Sequence, residues 1–233
     1  MDSSIYISLY TSIVIQIVTE VVQVLALFIN VSPKFSFLKQ MMWLEVIVQN
    51  VEGLFYLYWL FNFNDILNIT PIRYFDWVIT TPTMLVNLIC YLIFLDHKEK
   101  NTSDTLTLFT ILKKEFSTIV TVLLLNWAML FFGYLGETSV IPTLFAISLG
   151  FIPFIIYYYI IYTNYARFSK DGMQIYAYFL FFWSLYGVAA VSPYNIKTVS
   201  YNILDLFSKN FFGIFLTYLL LTNNNDASLR FLQ

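Results

Sequence analysis

The chain has 233 residues, of which 59% are hydrophobic, 20% aromatic and 11% charged, and its mean hydropathy is +0.73. That balance excludes a soluble globular domain, and a net charge of −2 gives no basic footprint for nucleic acid. The solvent for this fold is a lipid bilayer.

Reading for apolar runs long enough to cross about 30 Å of hydrocarbon gives segments at approximately 4–29, 38–62, 72–95, 115–135, 139–163, 172–192 and 196–223. They use up the chain, so residues 1–233 read as one all-α membrane domain without internal repeats or low-complexity stretches. The first run is too long for a signal peptide and lacks the basic start and cleavage site of one. It offers Ser8, Ser12, Gln16 and Thr19 or Glu20 at helical spacing. The second run carries Glu45 and Glu52, seven residues apart, with Gln49 between them on the same face. Ser, Gln and Asn serve as interhelical glue in membranes, and that plain reading suits Ser8 and Thr19. An ionised glutamate pair instead needs water or cations.

The third run holds Arg73-Tyr74-Phe75-Asp76-Trp77-Val78-Ile79-Thr80-Thr81-Pro82. Taken alone, Asp76 at membrane depth needs a cation, and Arg73 one turn outward is within helical reach. Thr80, one turn inward, can hydrogen-bond to the same carboxylate. A structural Asp–Arg pair accounts for these residues as well as a functional one does. Pro82 removes a backbone bond, which neighbours or water make good inside a membrane bundle. Cys90, the single cysteine, cannot form an internal disulfide and reads as a small core residue; no metal site is expected.

The last run, 196–223, contains a lone ammonium, Lys209, with Asp205 one turn before it and Asn202 about two turns before it. An intramembrane lysine costs at least a few kcal/mol. Snorkelling to a headgroup or a locked salt bridge would explain it, but roughly a dozen residues on either side leave no interface nearby. A Schiff base with a carbonyl ligand, neutralised by adjacent carboxylates, is an economical alternative. Orientation follows from the basic residues: Lys34, Lys39, Lys98, Lys100, Lys113, Lys114, Arg167, Lys170 and Arg230 fall on one side, and Lys197 with a membrane-edge Arg73 on the other. This asymmetry places the N-terminus outside and the C-terminus in the cytoplasm.

The run from Arg73 to Pro82 resembles the third helix of microbial rhodopsins, and Asp205 with Lys209 matches that family's Asp-x-x-x-Lys in the seventh. Trp183 and Tyr186 match the pocket Trp and Tyr of the sixth helix, with Gly187 where a proline is usual. Asn126, Met129 and Gly133 reproduce an Asp-x-x-Met-x-x-x-Gly spacing in the fourth, with Asn for Asp. The fifth segment carries no match. The resemblance implies a seven-transmembrane-helix bundle holding covalent all-trans retinal as a Schiff base on Lys209. Trp77, Thr81, Met129, Gly133, Trp183 and Tyr186 would then frame the chromophore. Asp76 would be counterion and proton acceptor, Asp205 the second counterion, and Arg73 and Thr80 would belong to the same group. Proton pumps of this family carry a carboxylate eleven residues past the counterion; here that position is Asn87. An amide cannot deliver a proton, so an efficient pump of that design loses its donor.

A narrower resemblance is to viral rhodopsins of group 1, light-gated cation channels, on Ser12, Gln16, Glu45, Glu52 and Asn202. It implies a central constriction of Ser12, Glu52 and Asn202, with Glu45 and Gln16 in the cytoplasmic part of an ion pathway. The expected function is therefore a light-gated channel for monovalent cations, not an enzyme, with the Lys209 proton passing to Asp76. Its partners would be retinal, the lipid bilayer, monovalent cations and protons, and its site a host-cell membrane if the chain is virus-encoded. A homo-oligomer is left open. An outward proton pump with slow reprotonation shares Asp76, Asp205 and Arg73; a sensory rhodopsin needs a transducer that nothing here marks; a seven-helix receptor without retinal is the most distant reading.

Overall fold

The computed structural model describes residues 3–100 and 106–223, so Arg230, one of the topology signals, lies outside the described residues. The described chain is helical: α1 (Ser3–Ala26), α2 (Ser36–Phe61), α3 (Thr70–Glu99), α4 (Leu108–Lys114), α5 (Phe116–Glu137), α6 (Thr143–Asn164), α7 (Lys170–Ala190), α8 (Tyr194–Asp205) and α9 (Phe211–Thr222). Every expected apolar run is helical, with ends displaced by a few residues. The signals at those ends are local. Pro33 opens a short 3-10 turn before α2, Pro71 sits in the first turn of α3, and Pro142 and Pro193 immediately precede α6 and α8. Ser169 caps α7 by accepting from the Gly172 amide at 3.2 Å.

Two departures from the sequence reading stand out. The fourth crossing is preceded by a separate helix, α4, started by a capping box in which Thr107 and Thr110 satisfy each other's backbone amides. The seventh crossing is not one α-helix: α8 and α9 are joined by a π-helical turn, Leu206–Asn210, which contains Lys209. Such wide turns occur frequently at functional sites.

The crossings form a closed bundle. α1 packs on α2, α8 and α9; α2 on α3 and α9; α3 on α5 and α7; α5 on α6; α6 on α7; and α7 on α8. Among the described residues six helical stretches are long and apolar enough to span a membrane. α2, 26 residues long, falls short of the same hydropathy because Glu45, Gln49, Asn50 and Glu52 interrupt it. All but Asn50 of these are buried. Its polar face points into the protein, while residues such as Leu54 and Tyr58 are exposed toward lipid. A bundle in hydrocarbon gains little from burying apolar side chains, so close backbone approach and interior polar contacts carry more of its association. At Gly136 in α5 a methyl group would come within 2.6 Å of the Ala146 Cβ in α6, which shows how tightly these two helices meet.

Candidate functional site

A cavity of about 120 Å³ lies between α3, α5, α6, α7 and the π turn. It is lined by Trp77 and Thr81 from α3, Met129 and Gly133 from α5, Trp183 and Tyr186 from α7, and Lys209. Residues singled out on four separate stretches of sequence thus meet around one space. Trp77 stands edge-on to Tyr186 and to Tyr201, with ring centroids 5.5 and 5.2 Å away. Thr81 accepts the Asn126 amide at 2.7 Å, and Trp127 Nε1 donates to the Val78 carbonyl at 3.0 Å, so α5 is pinned to α3 beside the cavity. Gly133 makes room for the Tyr74 hydroxyl, which a methyl there would approach to 2.5 Å. At Gly187 a methyl would come within 2.5 Å of the Phe151 ring. The lining missed from sequence is mainly that of α6: Ile147, Gly150, Phe151 and Phe154. α6 is apolar nearly all round, so periodicity gave no sign of which side faces inward.

At its one charged end the cavity meets Lys209, which is 2% exposed. Lys209 Nζ donates to Asp76 Oδ2 at 2.7 Å and lies 3.4 Å from both Asp205 Oδ1 and Glu52 Oε1. An apolar, aromatic-walled space closed by a single primary amine fits a long apolar ligand carrying a carbonyl at one end, which is the shape and chemistry of retinal.

The charges are arranged differently from the local expectation. Arg73, near the start of α3, is fully buried, and it pairs with Asp205 at 3.1 Å, not with Asp76. Its guanidinium also donates to the Tyr56 hydroxyl at 3.2 Å and to Asn202 Oδ1, and it lies among the rings of Phe55, Tyr56, Trp59 and Tyr201. Asp76 is left to Lys209. Thr80 does not reach the Asp76 carboxylate; its hydroxyl donates to the Asp76 backbone carbonyl at 3.1 Å, as helical Thr commonly does. Asp205 is held by two tyrosines, accepting from Tyr56 and Tyr186 at 2.7 Å each. Tyr56 was invisible as a site residue because an aromatic in an aromatic-rich membrane helix carries no signal.

Glu52 is the third carboxylate of the cluster. It is fully buried, and neither of its oxygens has a hydrogen-bond partner among the described residues. Three carboxylates, Asp76, Asp205 and Glu52, therefore face two cations, Lys209 and Arg73. The expected triad of Ser12, Glu52 and Asn202 is only partly brought together: Ser12 Oγ lies 3.4 Å from the Asn202 carbonyl, while the Asn202 side chain turns to Arg73, Tyr56 and Ser8. Glu52 turns to Lys209 instead, because opposite charge outweighs an amide as a partner in a dry interior.

On the other side of Lys209 lies a buried polar trail. Asn210, next in sequence, donates to Gln49 Oε1 at 3.2 Å, and Asn87 donates to Glu45 Oε1 at 2.6 Å. Both side-chain polar atoms of Gln16 and of Gln23, and the Oδ1 atoms of Asn87 and Asn210, are buried without a hydrogen-bond partner among the described residues. Gln16 and Glu45, expected in one part of a pathway, share this polar interior without touching through a hydrogen bond.

A family model described as bacteriorhodopsin-like protein matches residues 7–223. Among solved structures the chain is similar to the viral rhodopsin OLPVRII, at 29% identity and a TM-score of 0.78, over 94% of this chain and 97% of that one. It is similar in fold to the blue light-absorbing proteorhodopsin from Med12, at 18% identity and a TM-score of 0.71, covering 94% and 96% of the two chains. Acetabularia rhodopsin I resembles it at 16% identity and a TM-score of 0.73, covering 94% of each chain. No curated protein sequence matches the chain.

Proposed function

The chain belongs to the bacteriorhodopsin-like family, multi-pass membrane proteins that carry covalently bound retinal and are not enzymes, and from that premise we propose that it is a light-gated channel for monovalent cations. Bound retinal supplies light absorption and a light-driven change of shape. Lys209 is the residue that holds it, with Trp77, Thr81, Met129, Gly133, Trp183 and Tyr186 as the walls that orient it. Asp76 Oδ2, 2.7 Å from Lys209 Nζ, receives the nitrogen's proton after illumination. Asp205, fixed by Arg73, Tyr56 and Tyr186, stays behind as the second carboxylate. Residues 1–233 act as a single domain with the N-terminus outside, supported by the lysines and arginines gathered at the opposite end of the bundle.

The observation that carries the channel reading is Glu52. A buried carboxylate without a hydrogen bond among the described residues, in a cluster with one more acid than base, demands a compensating cation or proton. Moving the Lys209 nitrogen away from it after illumination would release that carboxylate to the polar interior that runs past Gln16, Gln23 and Gln49. Ser12, Gln16, Glu45, Glu52 and Asn202 are assigned to the ion pathway on this ground. The likeness to a viral rhodopsin supports a virus-encoded protein working in a host-cell membrane.

Voltage-clamp recording with ion substitution tests the reading. Photocurrents that reverse with the cation gradient, and whose reversal potential shifts in Glu52→Gln, are expected. Currents that stay outward at every voltage and persist in Glu52→Gln would establish an outward proton pump instead, a reading that shares the direct Lys209–Asp76 contact.

A further inference from the structure

Lys209 sits in the π turn, Leu206–Asn210, and that turn leaves a backbone group to be satisfied. In an α-helix the Phe211 amide would point at the Phe207 carbonyl; here it donates to the Leu206 carbonyl, one residue further back. The Phe207 carbonyl, just before Ser208 and Lys209, thereby loses its α-helical donor. Inside a bilayer no bulk water replaces it, so another part of the protein has to. The Tyr178 hydroxyl of α7 donates to that carbonyl at 2.7 Å.

The Tyr178 ring is held in place independently of its hydroxyl. It stacks on Phe211 at a centroid distance of 4.2 Å and leans on Phe182 at 4.6 Å, while Phe182 stacks on Phe207 at 5.1 Å. About two turns further along α7, the Tyr186 hydroxyl lies 2.7 Å from Ser208 Oγ. α7 thus grips the two residues that precede Lys209, Phe207 by its carbonyl and Ser208 by its side chain. Trp183, between the two tyrosines on α7, lines the cavity, and Tyr178 does not. Any effect of Tyr178 on the Lys209 nitrogen therefore passes through the backbone of the turn.

We infer that Tyr178 is a positioning residue for Lys209, and that its hydrogen bond to Phe207 couples the turn to α7. In the dark the bond fixes the register of the turn and so holds the Lys209 nitrogen against Asp76. When illumination displaces that nitrogen, the turn shifts and the bond is lost; re-forming it draws the turn back. The cycle breaks and remakes one hydrogen bond and no covalent one. The inference rests on the reading of Lys209 as the retinal-bearing lysine and holds for a channel or a pump alike.

Flash spectroscopy of the retinal-reconstituted protein in lipid nanodiscs tests it, with infrared difference spectra as a second readout. Tyr178→Phe keeps the stacked ring and forms a visible band, but returns to the dark state about tenfold more slowly, the rate equivalent of one ordinary hydrogen bond. Tyr159→Phe, which removes a hydroxyl from an exposed side chain of α6, leaves the return unchanged. A wild type made with carbonyl-labelled phenylalanine shows a labelled band that shifts on illumination and recovers with the dark state. That band is missing from Phe207→Leu, where the position carries no label. A merely structural role for Tyr178 would lower the melting temperature, leave the return rate unmoved and give no light-dependent Phe207 band. Return at or above the wild-type rate in Tyr178→Phe, or a wild type without that band, would overturn the inference; the labelled wild type decides even where Tyr178→Phe does not fold. A wild type that forms no visible band with retinal would instead overturn the Lys209 reading, and this inference with it.

Discussion

The charge count around Lys209 makes an unequal prediction for two neutralising substitutions. With Asp76, Asp205 and Glu52 facing Lys209 and Arg73, Arg73→Gln leaves three buried acids to one base, whereas Glu52→Gln leaves two to two. At the 3.1 Å separation of Arg73 and Asp205, Coulomb attraction in an effective dielectric of 20 is about 5 kcal/mol before desolvation is counted. Removing one partner of such a buried pair costs about 3–5 kcal/mol, because the other charge stays buried and uncompensated. Arg73→Gln also removes the guanidinium hydrogen bonds to the Tyr56 hydroxyl and to Asn202 Oδ1. For a chain of this size that loss is a fall in Tm of roughly 6–20 °C. Glu52→Gln gives up attraction to Lys209 and escapes repulsion from Asp76 and Asp205, so its net effect is within about 1 kcal/mol, or roughly 2–4 °C. The assay is loss of the visible retinal band on heating in lipid nanodiscs, at one heating rate for all variants. A Glu52→Gln protein that melts as early as Arg73→Gln, or an Arg73→Gln protein as stable as the wild type, would refute the charge count.

Three other outcomes are expected. Among the described residues Lys209 is the only amine lining the apolar cavity, so purified Lys209→Ala protein mixed with retinal develops no protein-bound visible band. Asp76→Asn removes the carboxylate nearest the Lys209 nitrogen, moving the visible band to longer wavelength and suppressing transient proton transfer; an unshifted band with intact transfer, recorded by flash spectroscopy, would show that Asp205 or Glu52 does the accepting. Gly136→Ala drives a methyl to 2.6 Å from the Ala146 Cβ and costs about 1–3 kcal/mol by overpacking. The double variant Gly136→Ala, Ala146→Gly recovers most of that loss in the same melting assay.

How far the site was legible depended on residue chemistry. A charged side chain in a membrane segment is rare enough to be informative on its own, so Lys209, Asp76, Asp205 and Glu52 could be picked out before any folding was considered. Aromatic and aliphatic side chains are the ordinary material of this chain, and Tyr56, Phe151 and Phe154 entered the site only through their contacts. Local helical spacing also misassigned the partner of Arg73. One turn of α3 brings it within reach of Asp76, but a guanidinium takes the acceptors that surround its head in three dimensions, and here those belong to α2 and α8.

Hydropathy, the spacing of a few ionisable residues and the distribution of lysine and arginine determined that this chain is a helical membrane protein with a buried amine among carboxylates. Such features are local, since each follows from what a segment of about 20 residues can do in a bilayer. Pairings across helices are not local. Only the closed bundle decided that Asp76 goes to Lys209, Asp205 to Arg73 and the tyrosines, Glu52 to the cluster rather than to Ser12, and Glu45 to Asn87. Each of these choices depends on which neighbouring helix presents the better-matched charge or hydrogen bond in an interior where water cannot compete.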